Sequence, residues 1–200
     1  MCGSASSVYA ADRAGARRGG ESRRTREESE KAETGINFPV FKTIATLDGP
    51  WEVAFDPRWG GPASVTFPSL QDWSQRPEDA VKHYSGIATY RKSFDLPIGA
   101  GKEIYLDLGT ILELAEVTLN GKRLGTVWCV PWRIDLSGNL KEKGNLLEIK
   151  VANLWTNRLL GDASKPASER LTRATARPRI GSLRPSGLLG PLTLKTRLSP

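Results

Sequence analysis

Hydrophobic residues along this chain recur mostly at every second position. Trp51, Val53 and Phe55 alternate with Glu52 and Ala54; Ile104, Leu106 and Leu108 alternate with Tyr105 and Asp107; Leu147, Ile149 and Val151 alternate with Glu148 and Lys150. A period of two is the signature of a strand with one face buried. Further strands are expected at Ser64–Phe67, at Gly86–Phe94 with Tyr90 and Phe94 on one face, at Arg133–Leu136, and as a closing strand within Leu188–Leu194. Glu116–Trp132 reads as strand, tight turn, strand and an aromatic-proline corner. Its Asn120-Gly121 pair suits a type I′ hairpin, which needs positive φ at both central residues. Asp72-Trp73-Ser74 and Pro77-Glu78-Asp79 read as a surface loop or single helical turns. About eight short strands, frequent Gly/Pro breaks and no long amphipathic helix predict an all-β fold, a sandwich or jelly roll, with no parallel βαβ rhythm.

The first 36 residues carry no such pattern. Val8, Tyr9 and Ile36 are their large apolar groups beyond Met1, too few to offset the entropy of ordering. Residues 1–36 are therefore expected to be a disordered tail, and residues 37–200 the β domain. No run of eighteen apolar residues occurs, so no membrane-spanning helix is expected. The opening segment lacks the apolar stretch of a signal peptide.

Charge changes the picture less than its total suggests. The net charge is +7, but residues 1–36 hold seven Lys/Arg against six Asp/Glu and residues 37–164 hold fourteen against fifteen. Residues 165–184 hold six against one, and the last sixteen residues add two more cations. The body is near neutral and the positive charge sits in one short segment. A nucleic-acid partner is not expected, because such proteins spread basic groups along a folded face. Two cysteines and one histidine make neither a disulfide framework nor a zinc set, and Cys129 is expected to be a small buried residue.

Several stretches, taken in order, resemble a known family. Ala88-Thr89-Tyr90-Arg91-Lys92-Ser93-Phe94 is followed by Val117–Gly125 (VTLNGKRLG), Pro131-Trp132-Arg133-Ile134-Asp135 and Asn145–Asn153 (NLLEIKVAN). This order resembles the sugar-binding jelly-roll domain of family 2 glycoside hydrolases. Asn153–Asp162 (NLWTNRLLGD) and Pro185–Pro191 (PSGLLGP) are similar to the C-terminal galactose-binding-like domain of bacterial α-L-rhamnosidases of the family 106 type. The resemblance implies a galactose-binding-like jelly-roll β-sandwich that binds sugar or assists hydrolysis of plant-type polysaccharide. It also implies a periplasmic or extracellular setting, a rhamnose- or galactose-containing ligand and a catalytic partner domain. A structural Ca²⁺ is common in such sandwiches, although no dense Asp/Asn loop of the EF-hand type is present.

Two features depart from the family. Leu171–Leu183 is Arg-rich and without aromatics where members have a Thr- and aromatic-containing strand. The family's catalytic barrel lies upstream, whereas a low-complexity tail precedes this domain, so a detached module or a piece of a larger enzyme is expected.

Sugar recognition needs aromatic faces and nearby polar groups. Trp51 shares the phase of Val53 and Phe55 and is assigned to the core. Trp59, Trp73, Trp132 and Trp155, at loops or strand ends, are the candidate sugar-facing rings. Asn157, Arg158 and Asp162 complete a polar–aromatic cluster with Trp155. That segment reads as a sugar-facing loop, as a contact onto a catalytic domain, or as a capped turn with an Arg158–Asp162 surface pair. Tyr90, Phe94, Asn120, Asn145 and Asn153 are read as scaffold. No catalytic residue is assigned: Asp107, Glu113, Glu116 and Asp135 show no spacing that singles out an acid–nucleophile pair, and His83 stands alone.

Overall fold

The computed structural model describes residues 39–174 and 181–198; the expected tail at 1–36 lies outside them. Twelve strands and two helices follow in chain order: β1 (Phe41–Thr46), β2 (Trp51–Ala54), β3 (Val65–Phe67), α1 (Asp79–Lys82), β4 (Ile87–Phe94), β5 (Ile104–Asp107), β6 (Thr110–Leu112), β7 (Leu114–Leu119), β8 (Lys122–Val127), β9 (Arg133–Asp135), β10 (Asn145–Ala152), α2 (Thr156–Ala163), β11 (Gly187–Gly190) and β12 (Thr193–Arg197). They form a six-stranded sheet of order β3-β2-β4-β10-β7-β8, a four-stranded sheet of order β1-β12-β5-β9, and a small β11-β6 ribbon. Every strand pair is antiparallel.

One core joins the two large sheets. Val53, Ala88, Tyr90, Val117, Leu119, Leu147, Ile149 and Val151 from the first meet Ile104, Leu106 and Leu194 from the second. β10 shows the alternation plainly, with Asn145, Leu147, Ile149 and Val151 buried and the residues between them facing out. The outward face carries a ladder of ion pairs that steps across neighbouring strands. Arg91 bridges Glu52 and Glu148, at 3.9 and 2.9 Å, while Lys150 lies 3.4 Å from Glu116, which also pairs with Arg123. Such exposed pairs add little stability each. What they establish is that this stretch of the sheet is solvated.

The hairpin forms as expected, with φ of 52° at Asn120 and 81° at Gly121. Asn120 adds a tertiary function: its Nδ2 donates to the Asn139 carbonyl and to Asn145 Oδ1, and its Oδ1 accepts from Leu146 N. Asn145 and Asn153 close the two ends of β10. Asn145 exchanges hydrogen bonds with the Lys141 backbone, and Asn153 accepts from Gly86 N and donates to the Tyr84 carbonyl.

Four expectations are corrected. β1 and β6 carry little alternation and went unpredicted; they are strands because β12 and β11 supply their ladder partners. The expected closing strand is two strands, broken at Pro191, which has no N–H for a ladder. Residues 156–163 are helical rather than loop. Cys129 is exposed, not buried. The alternation ends at Val127 and the chain turns away from the sheet, leaving Trp128 and Val130 exposed at 72% and 73%. The sandwich closes without a strand from Leu171–Ala174, because β12 runs between β1 and β5; residues 175–180 of that stretch lie outside the described residues.

Candidate functional site

Of the expected site residues, the structure brings together Trp59 and Trp155. Trp59 ends a single 3₁₀ turn, Pro57–Trp59, which Asp56 caps by accepting from Arg58 N; Gly60 follows at φ 74°. Trp155 stands at the N-terminus of α2, half exposed. The two indoles meet edge to face, with centroids 5.2 Å apart and planes at 90°. With Leu159, Leu171, Thr172, Arg173 and Ala174 they line an open hollow of about 440 Å³, mainly apolar in its lining. The last four residues come from the Arg-rich stretch and were not expected to take part. The only sequence signal for that wall is Leu171, a lone large apolar residue beside arginines.

The polar residues of α2 hold the cavity together from behind. Asn157 is buried: its Nδ2 donates to the Arg184 carbonyl at 2.7 Å and to Ser186 Oγ at 3.0 Å, and its Oδ1 accepts from Arg184 N at 2.8 Å. Asp162 Oδ2 accepts from Thr172 N at 2.8 Å and Thr172 Oγ1 at 2.7 Å. One short helix thus fastens both ends of the 172–184 stretch. Burial pushes the Asp162 carboxyl upward, but the donors from Thr172 and Leu171 and the nearby Arg158 outweigh it and hold the group below the usual carboxylate range.

Arg158 and Asp162 are each 4% exposed at the side chain, so the expected surface pair is a buried one. Their nearest atoms, Arg158 Nε and Asp162 Oδ1, are 3.8 Å apart and neither has a hydrogen-bond partner. A buried pair with unfilled hydrogen-bonding capacity contributes little net stability, although breaking it from one side is costly. Asn157, Arg158 and Asp162 are therefore supports of the cavity, not exposed contacts. His83 packs against this helix, close enough that a Cβ on Gly161 would lie 2.7 Å from its ring. Burial lowers the His83 imidazole despite Asp79 beside it.

Two expected rings lie elsewhere. Trp73 is fully buried: its Nε1 donates to the Tyr90 hydroxyl at 2.5 Å and the two rings stack at 6.5 Å. It begins a 3₁₀ turn capped by Asp72, whose Oδ1 accepts from Ser74 N and Ser186 N, and that turn is pressed inward, not displayed. A sealed ring has no face for a ligand. Trp132 is half-buried against the core, gives its carbonyl to Leu108 N, and does not line the Trp59–Trp155 cavity.

A second, smaller cavity of about 290 Å³ lies among Leu47, Asp48, Ser69, Leu70, Leu189 and Pro191. Asp107 is bound by Arg133 at 2.9 Å and Lys195 at 2.8 Å, and Glu116 by Arg123 and Lys150. Among the described residues no three His, Cys, Asp or Glu side chains gather. They do not provide a side-chain cage for the calcium that the resemblance implies.

The fold and its motif order define an all-β galactose-binding-like domain of the carbohydrate-active enzymes. The chain belongs to the glycosyl hydrolase 2 galactose-binding domain-like family, whose profile matches residues 75–181. It is 39% identical to a rhamnosidase from Novosphingobium sp. PP1Y of known structure, with a TM-score of 0.72, across 78% of this chain and 15% of that one. A Formosa agariphila protein named "Putative beta-glucuronidase" is 40% identical over 123 residues, 60% of this chain and 11% of the relative. The β-glucuronidase of Ruminococcus gnavus shares the fold at 23% identity and a TM-score of 0.58, over 80% of this chain and 29% of that one. The chain thus spans about a tenth to a third of the length of these relatives.

Proposed function

We propose that this domain binds a saccharide at the Trp59–Trp155 cavity and so assists hydrolysis of a plant-type polysaccharide by a glycoside hydrolase of the α-L-rhamnosidase or family 2 type. The observation that carries the reading is the pair of orthogonal, half-exposed indoles over an apolar hollow of about 440 Å³. A pyranose presents an apolar C–H face to one such ring, and the hollow is within the size range of small-ligand sites. Similarity to a rhamnosidase supports a rhamnose-containing ligand, and the galactose-binding-like fold supports galactose as the comparison sugar. Titration calorimetry with rhamnose- and galactose-containing oligosaccharides tests this. Binding by the native chain that is lost in Trp59→Ala is expected, and no heat at millimolar ligand overturns it. An extracytoplasmic setting belongs to the same proposal and is tested by fractionation of the native host.

A second reading, a structural module that packs on a catalytic domain, is favoured by one observation. Ile87 and Leu114 are exposed at 56% and 38% and both pair with Ala152, so an apolar row stands at one end of the sheet face whose middle is ion-paired; Trp128 directly follows β8, the strand beside Leu114's own, and is exposed at 72%. If Trp128→Ser abolishes association with a separately produced catalytic domain while sugar binding is absent in both forms, the structural reading replaces the first.

A further inference from the structure

The concentrated charge of residues 165–184 has no part in the saccharide reading as stated, yet the described end of that segment forms a wall of the cavity. Arg173 lines it directly and is exposed. Five arginines of the sheets and their flanking turns are matched, Arg58 by Asp56, Arg76 by Glu78, Arg91 by Glu148, Arg123 by Glu116 and Arg133 by Asp107, whereas Arg170, Arg184 and Arg197 form no ion pair with a described residue. Arg173 makes no ion pair with a described residue. A solvated cation beside two aromatic faces is a recognition element for a negative charge carried on a ring.

A second cation backs the same wall. Arg158 has its side chain 4% exposed, and its Nη1 lies 3.4 Å from the point where a Cβ on Gly60 would stand, next to Trp59. Leu171 Cδ1, from the opposite wall, comes within 2.6 Å of that point. The guanidinium therefore sits directly beneath the meeting of the two walls. Its Nε has no hydrogen-bond partner. Its charge is offset by Asp162, whose Oδ1 lies 3.8 Å away and whose carboxyl is held below the usual carboxylate range. Positive potential therefore reaches the cavity chiefly from the exposed Arg173.

We propose that the cavity takes an anionic sugar residue, its ring face against Trp59 and Trp155 and its carboxylate or sulfate against the Arg173 guanidinium. The planar fork of arginine suits either oxyanion bidentately. This rests on the saccharide reading and narrows it. A neutral rhamnose or galactose unit would use the indoles but leave Arg173 unengaged.

The test compares three matched oligosaccharides by titration calorimetry on the full chain: one neutral, one bearing a hexuronate and one bearing a sulfated hexose. At least one anionic ligand is expected to bind tenfold or more tightly than the neutral one at 50 mM salt. That preference shrinks at 500 mM salt and disappears in Arg173→Gln, where the affinity ratio of anionic to neutral ligand falls to about one. Which anionic ligand binds separates carboxylate from sulfate. Arg173 is exposed, so its replacement leaves the fold intact, and circular dichroism verifies this. Equal affinity for neutral and anionic ligands, lost in Trp59→Ala, overturns the anionic proposal and leaves the saccharide reading standing. No binding of any of the three rejects both. If a DNA duplex is retained by the native chain and released by Arg173→Gln while the anionic sugars show no advantage, the cation serves nucleic acid and the proposal falls.

Discussion

Tyr90→Phe separates the core function of Trp73 from a ligand-facing one. The Tyr90 hydroxyl accepts two hydrogen bonds inside the core, from Trp73 Nε1 at 2.5 Å and from Leu188 N at 3.3 Å. It thereby ties the loop carrying Trp73 and strand β11 to β4. Burial drives the phenol well above its ordinary pKa, so it stays neutral at all working pH values. Phenylalanine keeps the ring and its packing and deletes the acceptor. Each buried donor left without a partner costs about 1–3 kcal/mol. The Leu188 bond is long and the Trp73 bond short, so the loss should be dominated by the indole, giving about 2–4 kcal/mol in all. For a domain of this size, 1 kcal/mol moves the melting midpoint by about 2–4 °C, so a fall of about 4–16 °C is expected. Urea unfolding followed by far-ultraviolet circular dichroism measures it. The slope should be unchanged, since the surface exposed on unfolding is the same. Sugar affinity of the folded fraction should match the native chain. A loss below about 0.5 kcal/mol would refute the reasoning, because it would mean that both donors find other partners.

Three further outcomes are expected. Trp59→Ala should cost about 1 kcal/mol of stability or less, since the ring is 39% exposed and loses one edge-to-face contact; saccharide affinity should fall at least about tenfold, near 1.4 kcal/mol, by calorimetry. Gly187→Ala should destabilise by about 2–4 kcal/mol in urea, because φ is 101° and the new Cβ would collide with the Trp73 indole. Asp107 gives an acid limb. Burial alone would raise its carboxyl, but hydrogen bonds from Lys195, Arg133 and the Gly109 N–H outweigh this and lower it. With the folded pKa below the unfolded one, its contribution is complete above about pH 4 and is lost as pH falls through the folded value. Stability measured from pH 5 to pH 2 should therefore fall less steeply in Asp107→Asn than in the native chain, and parallel profiles would reject the assignment.

Much of this protein is determined locally, and the sequence by itself shows it. The period-two alternation at 51–55, 104–108 and 147–151 is a property of neighbours in the chain, as is the Asn120-Gly121 turn, and both survive in the fold with only their ends moved by a residue or two. The order of the motifs likewise identifies the family. Trp59 and Trp155 were legible as candidates because they sit in loop-like sequence. What tertiary structure alone decided is which groups face outward and which inward. Trp73 sits in a loop-like sequence just as Trp59 does, but Tyr90, distant in the chain, offers its indole an internal acceptor. Asn157, Arg158 and Asp162 read as a polar surface cluster. Asn157 and Asp162 are buried because Arg184 and Thr172, respectively 27 and 10 positions away, supply the partners that make burial of polar groups affordable, and Arg158 is buried beside Asp162 with its Nε unpartnered. Arg173 acquires its place beside the indoles through the same clamp. Pairing between strands and satisfaction of buried polar groups depend on contacts far apart in sequence, and no local pattern encodes them.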